Sequence, residues 1–143
     1  MPTRNLDRAL LVLRLALATV FIAHGCSKLF VMGHPAVTGF FTQLGIPMPG
    51  VAAWCVALLE FLGGLALGVG IFTRVLSLLF VADMLGAIGL AVFSKGFLGG
   101  YEFEFTLAAG ALALALVGGG RYSLDARLAA PGAEAERNAD HSA

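Results

Sequence analysis

The sequence has few charged residues, which account for only 13% of its 143 residues. A typical soluble domain is about 25% charged and about 45–50% apolar, whereas 59% of this chain is hydrophobic and its mean hydropathy is +0.89. So few charges cannot cover the surface of an ordinary soluble core. The nine basic and nine acidic side chains cancel, so the chain also lacks the positive excess typical of nucleic-acid binding. A small integral membrane protein is the class that remains.

Histidine and cysteine are scarce as well, with three and two residues respectively. His24, His34 and His141 are too scattered to suggest a metal site, and none is predicted. Cys26 and Cys55 each lie four residues from the same end of a predicted helix, so a disulfide between them is sterically possible. The alternative is that both are unlinked, small apolar residues, and the sequence leaves this choice open. No phosphate-binding loop, dinucleotide fingerprint or catalytic triad is recognisable.

Long apolar runs are abundant, and four of them are long enough to cross a bilayer, which needs about 20 apolar residues in a helix. The helices are predicted at about residues 9–30, 51–69, 75–93 and 101–117. Because short connectors place consecutive helices side by side, we predict an all-α polytopic membrane protein, an antiparallel four-transmembrane-helix bundle. The bundle domain is predicted to cover residues 1–125, and residues 126–143 are predicted to form a disordered cytoplasmic tail.

The longest connector, residues 31–50, contains the stretch FFTQLGIP. This stretch is predicted to form a short helix in the membrane interface, with Phe40 and Phe41 facing lipid. After the fourth helix, Ser123 is predicted to cap a short helix that carries Asp125 in its first turn.

Basic residues are distributed unequally between the two ends of the predicted bundle. Two lysines, Lys28 and Lys95, belong to one end. All seven arginines belong to the end that carries both termini: Arg4, Arg8, Arg14, Arg74, Arg121, Arg127 and Arg137. Since positive charge is retained on the cytoplasmic side, both termini are predicted to be cytoplasmic.

Ionisable residues inside the predicted spans are the candidates for function, because each costs roughly 2.5–3.5 kcal/mol on insertion scales. On the first helix, Arg14, His24 and Lys28 lie on one stripe. Glu60 and Asp83 fall near the middle of the second and third helices.

Two pairings follow. Arg14 is predicted to reach Asp83 in one half of the membrane as a structural ion pair. In the other half, His24 or Lys28 is predicted to reach Glu60 or Glu102. Glu104 lies about 200° around a helix from Glu102, so only one of the two faces inward. The competing interpretation is that all these groups merely hold the helices in register.

A buried carboxyl beside a cation suits proton transfer. Such a site fits a quinone-linked oxidoreductase or a proton-coupled transporter equally well. A non-catalytic assembly subunit is the third possibility.

Several segments together resemble the DoxX family. They are RLALATVFIAHGCSKLF, FFTQLGIPMPG, ALLEFLGGLALGVGIFTR, GGYEFEF and GGGRYSLDA, in this order. The resemblance covers residues 14–125 and highlights Arg14, His24, Gly25, Lys28, Glu60, Gly64, Arg74, Glu102, Arg121 and Asp125.

This resemblance implies a multi-pass protein of the bacterial inner membrane that acts as an oxidoreductase subunit, with quinone as the implied cofactor or substrate. The candidate catalytic residues are then His24, Lys28, Glu60 and Glu102. The lipid bilayer, a soluble oxidoreductase and a second copy of the chain are the partners considered, and nucleic acid is not among them.

Overall fold

The protein is described here over residues 2–129, from a computed structural model. This part of the chain contains helices and no strand. In chain order the helices are α1 (residues 2–32), α2 (His34–Gln43), α3 (Pro49–Val69), α4 (Thr73–Lys95), α5 (Phe97–Val117) and α6 (residues 124–129). Four of them, α1, α3, α4 and α5, are long and apolar enough to cross a membrane. The predicted all-α bundle of four membrane helices is therefore confirmed.

The helices extend a few residues beyond the ranges predicted from hydropathy. The α-helical part of α1 begins at Pro2, because residues 3–8 are polar but contain no helix breaker. After the fourth membrane helix, residues 126–129, which were predicted to belong to the disordered tail, are helical. Ser123 explains this turn: its Oγ accepts a hydrogen bond from the backbone N–H of Ala126, at 3.2 Å, as the predicted cap requires. The rest of the predicted tail, residues 130–143, lies outside the described residues.

Three of the four long helices contain a π-helical turn, at Ser27–Met32, Leu59–Gly63 and Ile88–Val92. In α5 the backbone is instead kinked at Leu98 and Gly99, before the regular α-helix that begins at Glu102. A π turn inserts one extra residue into the helix, so the side chains that follow it are rotated, and such turns are frequent at functional sites. Hydrophobic periodicity does not reveal them.

The helices pack mainly as two pairs, α1 with α3 and α4 with α5. Between the pairs, the rings of Phe21 and Phe80 stack with centroids 3.8 Å apart. Leu67 and Leu114 are fully buried around them. This core fills the half of the bundle nearer the termini, which we call the termini end.

Helix α2 lies at the opposite end, which we call the α2 end, and packs against the first half of α3. Val37, Phe41 and Ala53 form a second, smaller core between the two helices. The prediction that Phe41 faces lipid is therefore wrong: its side chain is only 8% exposed, while that of Phe40 is 44% exposed. One face of α2 packs against α3, and burial of Phe41 in that contact removes more of its apolar surface from water than a position in the membrane interface would.

Candidate functional site

A buried ion pair between Lys28 of α1 and Glu60 of α3 lies at the centre of the candidate site. The Glu60 side chain is 4% exposed and that of Lys28 is 20% exposed. Each residue lies on a π turn of its own helix. This arrangement brings together two of the predicted site residues, and it realises one of the predicted pairings.

Close contact between α1 and α3 makes this ion pair possible. Gly25 lies directly against the backbone of Phe61, and a Cβ at residue 25 would be only 2.7 Å from the Phe61 Cα. One turn away, a Cβ on Gly64 would lie 3.0 Å from the backbone nitrogen of Ile22. Small residues allow membrane helices to approach this closely, so the two glycines determine that Lys28 and Glu60 lie at the same depth.

Asp83 of α4 and Glu104 of α5 complete a cluster of three carboxyl groups and one ammonium group. They line the same cavity as Lys28 and Glu60. Asp83 Oδ2 and Glu104 Oε2 are buried and have no hydrogen-bond partner within residues 2–129. Burying such acceptors without partners is costly, so the cluster is suited to bind protons or the hydrogen-bond donors of a ligand. Hereafter we call Lys28, Glu60, Asp83 and Glu104 the acidic cluster.

A cavity of about 440 Å³ extends from the acidic cluster towards α2. Its volume falls within the range of about 300–1,000 Å³ that is usual for small-molecule sites. Apart from the cluster, its walls are apolar and come from three helices: Phe40, Phe41 and Leu44 from α2 or its end, Ala52 and Val56 from α3, and Ala82, Met84, Gly86, Ala87, Leu90, Ala91 and Val92 from α4. The site therefore has one polar end and a long apolar body.

His24 lies beside the acidic cluster rather than inside the large cavity. A second cavity of about 100 Å³ adjoins the cluster and is lined by His24, Lys28, Glu60 and Glu104. The imidazole of His24 is exposed and stacks on Phe103, with ring centroids 5.7 Å apart. His24 is thus near the site, as predicted, but on the side away from α2.

Glu102, a predicted site residue, does not reach either cavity. Its Oε1 accepts a hydrogen bond from the backbone N–H of Gly99, at 3.0 Å, because Glu102 begins the α-helical part of α5 and caps the turn before it. Glu104 faces inward in its place. The sequence carried a signal for this choice, since the two residues point to opposite sides of a helix, but it did not indicate which one faces the bundle.

The predicted ion pair between Arg14 and Asp83 is not formed. Arg14 is buried at the termini end, where its Nη1 donates to the carbonyl oxygen of Gly119 at 2.8 Å and its Nη2 to that of Tyr122 at 3.0 Å. Asp83 lies in the other half of the bundle, in the acidic cluster. The pair does not form because the carbonyl oxygens of the loop after α5 already bind the Arg14 guanidinium at the termini end.

The two cysteines are unlinked: Cys26 is half-buried and Cys55 is exposed. Within residues 2–129, no group of three histidine, cysteine or acidic side chains is arranged to hold a metal ion.

Comparison with known proteins places the chain in a family. The DoxX family model matches residues 9–94. The chain is 30% identical over 122 residues to the "Putative oxidoreductase CatD" of Bacillus subtilis, an alignment that covers 85% of this chain and 88% of that protein. It is 30% identical over 126 residues to the "Inner membrane protein YphA" of Escherichia coli, which covers 82% and 89% respectively. No solved structure matches. The chain belongs to the DoxX family.

This DoxX protein is therefore a multi-pass membrane protein, and its family resemblance is confirmed. Several of the residues that carry the resemblance lie away from the cavity, in a network at the termini end. Besides the Arg14 contacts, both carboxylate oxygens of Asp125 accept hydrogen bonds, from the backbone N–H groups of Phe72 and Thr73, each at 2.8 Å. The segments GIFTR and GGGRYSLD are thus joined to each other and to α1.

Asp125 is the titratable group of this network that lies outside the membrane helices. Partial burial raises its pKa, but the hydrogen bonds from Thr73 and Phe72 and the nearby positive charge of Arg14 outweigh this effect. The pKa of Asp125 is therefore held below its usual value. This network stabilises the DoxX bundle at the end remote from the cavity.

Proposed function

We propose that this DoxX protein is the membrane subunit of a quinone-linked redox system and that its large cavity binds the quinone. The observation that carries the proposal is the composition of that cavity: an apolar body of membrane-facing helices that ends in the acidic cluster. A quinone has the matching structure, with a flat apolar ring and two oxygens that are carbonyls when oxidised and hydroxyls when reduced. The unpartnered oxygens of Asp83 and Glu104 support a ligand with hydroxyl donors.

The residues of the acidic cluster have two proposed roles, ligand binding and proton transfer. Lys28 can donate a hydrogen bond to a ligand oxygen, while Glu60 holds its ammonium group in place. Asp83 and Glu104 can accept the two protons that leave when a quinol is oxidised, and return them when a quinone is reduced. His24, on the smaller adjoining cavity and exposed at the surface, offers a route for protons to and from Glu104.

The proposed reaction also requires two electrons for each quinone, and the acidic cluster supplies protons and hydrogen bonds only. The proposal therefore includes a soluble oxidoreductase partner that exchanges these electrons with the quinone. The name of the relative "Putative oxidoreductase CatD" supports a redox role.

We further propose that the protein resides in the bacterial inner membrane with both termini cytoplasmic. The name of the relative "Inner membrane protein YphA" supports this location. The arginines at the termini end support the orientation. In this orientation the cavity lies in the half of the bundle away from the cytoplasm.

Binding of decylubiquinone to the purified protein in lipid nanodiscs tests the proposal. Isothermal titration calorimetry, with empty nanodiscs as the blank, should show saturable binding of decylubiquinone to the protein beyond its partition into lipid. Glu104→Gln should weaken binding at least about tenfold, since a hydrogen bond to a charged group contributes about 1.5–3 kcal/mol. Glu102→Gln is the matched control and should bind as wild type does, because Glu102 lies outside both cavities.

Equal binding by the two glutamine variants, or no saturable binding by wild type, would contradict the proposal. A result in which Glu104→Gln alters proton-driven solute uptake into vesicles but not quinone binding would identify a transporter instead. Normal folding and normal activity of Glu60→Gln would exclude a role for that carboxylate in proton transfer.

A further inference from the structure

One side of the large cavity faces the lipid rather than the protein. Some of the residues that line it are also exposed on the outer surface of the bundle, namely Ala82 and Leu90 of α4 and Phe40 of α2. Gly86 lies between the two α4 residues, and a Cβ added there would meet no atom within 4 Å. The cavity therefore has an opening between α2 and α4, which we call the lateral opening.

The other sides of the cavity are closed. Towards the termini end, the stacked rings of Phe21 and Phe80 and the buried side chain of Met84 fill the space between the helix pairs. At the α2 end, Phe41 packs into the core between α2 and α3. A ligand that fills the cavity thus has the acidic cluster at one end and lipid at the other.

We infer that the ligand is an amphiphile with a long apolar chain, which enters from the lipid through the lateral opening and leaves its chain between α2 and α4. This inference rests on the proposed function, and it specifies the quinone as an isoprenoid-tailed one taken from the membrane rather than a soluble head group. The polar end of the cavity lies deep, while the residues at the opening are apolar or small, so the head group of a bound ligand points inward and the tail outward.

The tail and the head group have different energetic roles in this arrangement. Lipid chains are as apolar as the residues at the opening, so moving the tail from lipid into the opening changes its free energy little. Affinity then comes from the head group and the acidic cluster, and the opening decides only whether a tailed ligand fits. A bulkier side chain at the opening should therefore penalise the tail selectively.

Gly86→Leu tests this selectivity, because a Cβ at residue 86 meets no atom within 4 Å and the longer side chain narrows the opening. Gly89→Leu is the matched control: Gly89 lies on the same helix, also has no atom within 4 Å of an added Cβ, and does not line the cavity. The measurement compares decylubiquinone with the same benzoquinone head group without its tail, by isothermal titration calorimetry in nanodiscs with empty nanodiscs as the blank. Thermal unfolding of both variants verifies that they are folded.

Gly86→Leu should weaken decylubiquinone binding about tenfold or more, as expected for a steric penalty of a few methyl groups. It should leave binding of the tail-less head group within about twofold of wild type, and Gly89→Leu should change neither. Ala82→Leu, one turn earlier at the same opening, should give the same pattern as Gly86→Leu and replaces it if that variant does not fold.

Wild-type affinity of Gly86→Leu for both ligands, or an equal loss for both, would overturn the lateral opening as the site of the tail while leaving quinone binding intact. Failure of wild type to bind either ligand would instead refute the proposed function itself.

Discussion

At the scale of single residues, Asp125 shows how one carboxylate can join distant parts of the chain. Asp125 follows α5, yet its two carboxylate oxygens cap the start of α4, more than 50 residues earlier in the sequence. The capped turn needs this support because Phe72 has a left-handed backbone, with φ of 50°, which is costly for a bulky residue. The backbone N–H of Asp125 also donates to the carbonyl oxygen of Gly70 at 2.9 Å.

Asp125→Asn should destabilise the protein by about 1–2 kcal/mol at neutral pH, which is the usual contribution of a capping side chain. Because the folded-state pKa is lowered from 3.8, the stabilisation from the charged form is fully present above that pH. It is lost as the pH falls through the folded-state pKa. Thermal unfolding in detergent, followed by circular dichroism between neutral pH and about pH 3, measures both effects.

The matched control is Asp7→Asn, which removes a single hydrogen bond to the backbone N–H of Arg121 at an exposed position. Its effect should be smaller than that of Asp125→Asn. Equal destabilisation by the two variants, or a difference from wild type that grows at low pH, would contradict the capping role of Asp125.

At the scale of elements, the contact between α1 and α3 determines the geometry of the site. Gly25 and Gly64 allow the two backbones to touch, and the π turns on either side orient Lys28 and Glu60 towards each other. Helix α2 then covers the cavity that opens beside this pair. Close packing and helix irregularity are thus both needed to form the site.

Gly25→Ala should therefore destabilise the protein by about 1–3 kcal/mol, as overpacking of a tight contact does. The added methyl group would force α1 away from Phe61 and weaken the ion pair of Lys28 with Glu60. Thermal unfolding in detergent measures the change in stability, and quinone binding reports on the cluster.

Gly39→Ala in α2 is the control, since a Cβ there meets no atom within 4 Å. It should keep or raise stability by up to about 1 kcal/mol through helix propensity. Wild-type stability of Gly25→Ala would show that the helices tolerate separation, contrary to the role assigned to this contact.

At the scale of the whole molecule, the two ends of the bundle have different tasks. The termini end is held by hydrogen bonds between side chains and the backbone: those of Arg14 and Ser123 donate to carbonyl oxygens, and that of Asp125 accepts from backbone N–H groups. The packed core lies next to it. The α2 end contains both cavities and all four residues of the acidic cluster. The packed core and the ligand cavity therefore lie at different depths along the membrane normal.

The proposed orientation of these ends can be measured with single cysteines in a background that carries Cys26→Ala and Cys55→Ala. Asn5→Cys and Ser94→Cys mark exposed positions at the termini end and the opposite end respectively. A membrane-impermeant maleimide applied to intact cells should label only Ser94→Cys, and both should react after permeabilisation. Labelling of Asn5→Cys in intact cells would invert the proposed topology.

Much of the fold could be predicted because the hydropathy of a segment depends only on the residues in that segment. The four spans follow from the lengths of the apolar runs, and the stripe on the first helix gave the Lys28–Glu60 pair as one of four possible pairings of His24 or Lys28 with Glu60 or Glu102. The errors concern rotation and depth. Glu102 lies at the start of the regular helix, where its carboxylate accepts a hydrogen bond from the kinked turn before it, and Asp83 lacks Arg14 as a partner because carbonyl oxygens of the closing loop bind that guanidinium. A regular period shows neither contact.

The sequence by itself determined the class of the protein, its family and the set of buried charges, since insertion into a bilayer depends on composition and segment length. Only the tertiary structure decided which charges meet: Arg14 with the carbonyls of the closing loop, and Asp83 and Glu104 with the Lys28–Glu60 pair. It also decided that a cavity exists and where it opens. These properties depend on how closely two backbones approach and how far each helix is rotated, and one glycine contact or one π turn is enough to change both.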